Sequence, residues 1–100
     1  MTQIEKLEAA VESGTPKHGE QLRPLKDYAR YYAFYLEDGH RRIAAEFVAD
    51  PFVQEGAGGV HVVSSKDSFP AIADGGCSVV HVVYDVDTGK LVYFDCNGMG

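Results

Sequence analysis

The second half of the chain is nearly without positive charge. Lys66 and Lys90 are its only basic residues after position 50, against six acidic ones, and the 100-residue chain carries a formal net charge of −6. Sequence-independent binding to nucleic acid needs the opposite sign, because its affinity comes from neutralising phosphates. The same acidity disfavours anionic membrane surfaces. It suits a basic protein partner, including one that itself binds nucleic acid, and it also serves plain solubility. Long apolar runs are missing too: none approaches the ~20 residues of a membrane-spanning helix. The start, Met1-Thr2-Gln3-Ile4-Glu5, has neither the basic segment nor the apolar core of a secretory signal. Together these absences predict a cytoplasmic protein. Cysteine is scarce: Cys77 and Cys96 stand alone, with no Cys-x-x-Cys pair to make a zinc motif. In a cytoplasmic chain two such residues are expected as free thiols. There is no internal repeat, and the length is that of one small domain spanning residues 1–100.

What is present reads as an α+β fold. Thr2-x-x-Glu5 is a capping box, and Ile4, Leu7, Ala10 and Val11 recur at helical spacing until Gly14 and Pro16 stop them. A helix over residues 3–13 follows. Near the other end, Cys77 to Tyr84 and Lys90 to Cys96 read as two strands joined by Asp85-Val86-Asp87-Thr88-Gly89. A four-residue loop sets Tyr84 opposite Leu91, Val82 opposite Tyr93 and Val79 opposite Cys96. One face then carries Cys77, Val79, His81, Val83, Val92, Phe94 and Cys96, and the other Ser78, Val80, Val82, Tyr84, Leu91, Tyr93, Asp95 and Asn97. The two cysteines share the inner face as diagonal neighbours, ~7–8 Å apart and too distant to bridge.

Residues 24–50 admit a helical reading or a hairpin. The hairpin is favoured because Asp38-Gly39 is a strong two-residue turn signal and Tyr31-Tyr32-Ala33-Phe34-Tyr35 is rich in aromatic residues. Tyr32, Phe34, Leu36, Ile43, Ala45 and Phe47 then share one face, with Tyr31, Tyr35, Arg42 and Glu46 on the other. Gly39 is expected to need positive φ, whereas Gly58 sits in a loose Gly-rich loop, Gly56-Ala57-Gly58-Gly59, with no following helix to make a phosphate cradle. Val60 to Val63 reads as a strand, Ser68 to Ala73 as one or two helical turns, and Asn97 to Gly100 as a frayed tail. Lys17, His18 and Glu20 read as solvated surface. The result is an N-terminal helix on an antiparallel sheet of about five strands.

Three functional readings follow. The leading one is a non-catalytic interaction module, a small acidic regulator or inhibitor, needing no cofactor. It would bind a protein partner or a second copy through Tyr31, Tyr35 and Arg42 and through an exposed face of Val82, Tyr84, Leu91 and Tyr93. The second is a thiol enzyme with Cys77 as nucleophile and His61 as base, since Cys77 and His81 lie roughly 13 Å apart on one strand. The third is a zinc-stabilised module held by Cys77, His81, Cys96 and His61.

Overall fold

The computed structural model describes residues 2–18, 22–50, 52 and 58–98. Helix α1 spans Gln3–Ser13, and its capping box is complete: Glu5 N–H donates to Thr2 Oγ1 (3.1 Å) and Thr2 N–H donates to Glu5 Oε1 (2.8 Å). Leu7 and Val11 are its buried residues. The strands are β1 (Ala29–Glu37), β2 (His40–Val48), β3 (Val60–Val63), β4 (Val79–Asp85) and β5 (Lys90–Cys96), in the order β3-β1-β2-β4-β5. All neighbours run antiparallel except β1 and β3, which are parallel.

The β1–β2 hairpin has the register read from the sequence, with Leu36 opposite Arg41, Phe34 opposite Ile43 and Tyr32 opposite Ala45. Asp38 (φ 52°) and Gly39 (φ 79°) both take the left-handed conformation that a tight hairpin requires. Gly58 is constrained as well, contrary to expectation: its φ is +84°, and a Cβ there would stand 3.2 Å from the Lys26 carbonyl oxygen. Gly56 and Ala57 lie outside the described residues.

The second hairpin departs from the expected register. Asp85 opens the turn as read, with its carboxylate accepting from Thr88 N–H and its carbonyl from Gly89 N–H. Tyr84 does pair with Leu91. Beyond them Val92 is an extra residue: Val83 faces Tyr93, Val82 faces Phe94 and Val80 faces Cys96. Such a bulge shifts the partner strand by one and turns its side chains over. Val80, Val82, Tyr84, Phe94 and Cys96 therefore lie on the helix side. Val79, His81, Val83, Tyr93, Asp95 and Asn97 lie on the far side.

Both faces are covered. On the helix side Leu7, Tyr28, Tyr32, Ile43, Phe47, Val80 and Val82 form the main core. Glu8 reaches from α1 to the sheet, accepting from Arg30 Nη1 (2.8 Å) and from the Tyr32 hydroxyl. On the far side Ala29, Tyr31 and Val48 pack under Phe52, Phe69 and Ile72. That cover is not the helix expected over residues 68–73. Only Lys66–Ser68 makes a 3-10 turn; Pro70 bars its predecessor from helical geometry, and Phe69 is extended (φ −72°, ψ 150°). The expectation of an exposed face at Val82 and Tyr84 is corrected: pairing with Ala45 and Ile43 of β2 sets them on the side that α1 covers, and both residues are buried.

The cysteines are also corrected. Cys77 lies in a 3-10 turn, Gly76–Ser78, rather than in β4, and the bulge brings Cys96 level with Val80. Their Cα atoms are 4.7 Å apart and the side chains form a disulfide. The Tyr28 hydroxyl fixes the same turn by donating to the Cys77 carbonyl (2.7 Å). Closing a segment of 19 residues constrains the unfolded chain by about 3 kcal/mol. Replacing both cysteines by serine is expected to lower the unfolding free energy by about that amount in a denaturant titration.

Candidate functional site

The register places a polar row across the far face of the whole sheet. His61 of β3 is opposite Tyr31 of β1, Tyr31 opposite Glu46 of β2, Glu46 opposite His81 of β4, and His81 opposite Asp95 of β5. Directly paired residues share a face, so five polar side chains stand side by side. The Tyr31 and His61 rings stack with centroids 5.0 Å apart, and Phe69 sits against Tyr31. His81 Nδ1 is 3.3 Å from Glu46 Oε1, and its Nε2 is 2.7 Å from Asn97 Oδ1. Asp95 accepts from the His18 backbone N–H (2.8 Å) and lies 2.9 Å from its Nδ1. His18, read as free surface, is thus tied to β5; Asn97, read as tail, belongs to the row.

Two carboxyl groups of the row are driven apart in acidity. Burial pushes Glu46 up to about 7, because a charge at a site only 3% exposed loses its hydration. Asp95 is held below the usual carboxylate range, chiefly by its bond from His18. Glu46 Oε2 is buried and makes no hydrogen bond. A carboxyl that keeps its proton to neutrality beside an imidazole has the chemistry of an acid–base pair.

A second cluster lies at the hairpin tips. His40 Nδ1 and carboxylate oxygens of Asp85 and Asp87 fall within 4.8 Å of one another, a spacing that a cation can bridge. The carboxylates are already occupied. Arg41 grips Asp87 through its backbone N–H, Nε and Nη2, at 3.0, 3.0 and 2.6 Å. Asp85 takes Thr88 N–H and Arg42 Nε. Those donors, led by Thr88 for Asp85 and Arg41 for Asp87, hold the pKa of both groups below the ordinary carboxylate value. The cluster fastens β2 to the β4–β5 turn.

The residues singled out from sequence are now placed. Cys77 and Cys96 are joined, so neither supplies the thiolate that the nucleophile and zinc readings require. His61 and His81 lie in the polar row with two strands, β1 and β2, between them. Tyr31 is buried, Tyr35 is half-buried under the Lys66 ammonium (4.4 Å from the ring centre), and Arg42 is engaged by Glu37 and Asp85. Leu91 packs against the main core, and Tyr93 is exposed on the opposite face.

Sequence reasoning missed an apolar strip. Phe34, Leu36, Val60 and Val62 are 49%, 72%, 48% and 61% exposed. Alternation puts all four on the helix side, beside the β3 edge. A signal for it existed. The helix has eleven residues and the β1 and β2 strands nine each, so α1 spans about 16 Å of strands that run about 30 Å. The uncovered end is a depression of about 610 Å³ lined by Gln3, Phe34, Leu36, Arg41 and Val86, among others.

Comparison with protein-family models, curated proteins and solved structures found no match.

The raised pKa of Glu46 makes stability depend on pH in a definite direction. Between its ordinary value of 4.5 and about 7 the folded state holds a proton that the unfolded state has released. Glu46 thus contributes stability at low pH that is lost as pH rises through that window. Asp85, Asp87 and Asp95 act in the opposite sense and below it: their contribution is present above 3.8 and disappears as pH falls through their lowered values. Glu46→Gln is expected to remove the decline from pH 4.5 to 7, on the order of 3 kcal/mol, and to leave the acid limb intact. Urea titrations along the pH axis check both.

Proposed function

We propose that the protein is a non-catalytic protein-interaction module, a small regulator or inhibitor that docks on a larger, basic partner. The observation that carries this reading is the exposed apolar surface on the helix side of the β3–β1 edge: Phe34 and Leu36 where α1 ends short of β1, and Val60 and Val62 on the edge strand beside Arg30 and Tyr32. Contiguous exposed apolar surface on a small domain marks a contact site. Covering these side chains at ~25 cal/mol per Å² gives several kcal/mol, set against the entropy of association.

The partner's chemistry follows from the surroundings. Glu37 and Asp38 follow Leu36 at the hairpin tip, the two arginines beside it have their charges met by Asp87 (Arg41) and by Glu37 and Asp85 (Arg42), and the whole chain carries −6. A basic rim around an apolar contact complements this surface, and long-range attraction speeds the encounter. A nucleic-acid-binding protein offers such a rim. The disulfide favours an oxidising compartment over the cytoplasm expected from the sequence, since cytoplasmic thiols are kept reduced.

The test is Leu36→Lys combined with Val62→Lys. Both positions are well exposed, so folding is expected to change by no more than about 1 kcal/mol. A partner captured from the source cells is purified and titrated against wild type and variant. The reading predicts binding weaker by roughly 100-fold, the scale of two contact residues at ~1.4 kcal/mol each plus charge repulsion. Equal affinity of the two proteins contradicts it. Light scattering on both identifies the case in which the occupant is a second copy.

A further inference from the structure

The orientation of one amide fixes the protons of the far-face row. Asn97 Nδ2 lies 2.7 Å from the Ile72 carbonyl oxygen and 3.1 Å from that of Asp74. Only the amide nitrogen can donate to two carbonyls, so it is Oδ1 that stands 2.7 Å from His81 Nε2. An oxygen there requires a hydrogen on Nε2. A neutral imidazole carries one N–H, which leaves a lone pair on Nδ1, 3.3 Å from Glu46 Oε1. One proton must lie between these atoms, as a carboxyl O–H or an imidazolium N–H. Without it two lone pairs face each other at a carboxyl group whose residue is only 3% exposed.

We infer that Glu46, His81 and Asn97 form a single-proton latch that fastens the segment around Ile72–Asp74 over the far face of the sheet and releases it when that proton leaves. On release, the ring keeps one hydrogen and turns it to Nδ1, where the Glu46 carboxylate accepts it. Nε2 then presents a lone pair to Asn97 Oδ1. The amide withdraws, and the two carbonyls lose their donor. The segment is built to move. Ile72 contributes only partly buried packing to the small far-face cluster. Gly75 (φ 108°) and Gly76 (φ 57°) form a left-handed hinge at its end. The Cys77–Cys96 bridge keeps the freed segment tethered to β5.

The groups facing Glu46 define the electrostatics. Tyr31 stands on the β1 side with His61 beyond it, and His81 stands on the β4 side with Asp95, bound to His18, beyond that. Arg42, four residues along β2, is taken up by Glu37 and Asp85. The overlying segment contributes Phe69 and Ile72, which are apolar, and the Asp74 carbonyl. Burial delays loss of the Glu46 proton to about 7, so the latch opens as pH rises through neutrality.

Nitrogen-15 NMR of the His81 ring and exchange of the Asn97 side-chain amide protons read the latch in the intact protein, from about pH 5.5 to about pH 8.5. In wild type, Nε2 is expected to carry the hydrogen at the acid end and Nδ1 at the alkaline end. Asn97 exchange, corrected for base catalysis, should rise roughly tenfold, the scale of two neutral hydrogen bonds. In Glu46→Gln the new amide donates to Nδ1 at every pH, so Nε2–H and slow exchange should persist throughout. A wild-type protein whose Nε2–H and Asn97 protection do not change across the range overturns the inference, as does a Gln variant that titrates like wild type. The wild-type titration decides alone if the variant does not fold.

Discussion

One extra residue in β5 sets most of what is distinctive in this molecule. Val92 has no partner in β4, and from it onward every β5 side chain points to the face opposite that of a regular hairpin. Phe94 turns in against α1, where its ring also meets the close of the helix at Gly14. Cys96 comes level with Val80 and within reach of Cys77. Asp95 and Asn97 turn outward, to His18 and His81. A regular ladder would exchange these roles: the bridge would be lost, and Asp95 and Asn97 would face an apolar core.

The second constraint is length. A helix of eleven residues cannot cover strands of nine, so the helix-side core closes over Tyr32, Ile43 and Phe47 and leaves Phe34 and Leu36 open, while the β3 valines are exposed because that strand is the sheet edge. The far face solves the same problem differently. An irregular segment carrying Phe69 and Ile72 covers its middle, held by a side-chain amide and a disulfide in place of a helix's own hydrogen bonds. Cover of that kind is cheap to remove, because few backbone bonds must break. The apolar strip and the latched segment therefore lie on opposite sides of one sheet, and each is set by where regular structure runs out.

Local chemistry explains what could be read in advance. Helix α1 and its cap, the Asp38-Gly39 hairpin with its register, strand β3 and the Asp85 turn all depend on residues within a few positions of one another. The rest depends on distant partners. Nothing around Val92 marks a bulge, since Leu91-Val92-Tyr93-Phe94 is an unbroken apolar and aromatic run that suits either register, and from that one slip came the inverted β5 faces and the separated cysteines. The parallel β1–β3 pairing and the strand order are long-range choices with no short signature. For the site, His61, His81 and Tyr31 attracted attention by residue type. Glu46 reads as a solvent-side charge on an alternating strand, and its burial comes from a segment more than twenty residues away. Asn97 reads as the start of a polar tail.

The bulge is open to direct observation. Cross-strand backbone NOEs between β4 and β5 report which residues face each other without any variant or ligand. The account predicts contacts pairing Val82 with Phe94 and Val80 with Cys96, and Val92 without a counterpart. Contacts pairing Val82 with Tyr93 and Val79 with Cys96 would contradict it, and with it the bridge, the far-face row and the latch built upon that row.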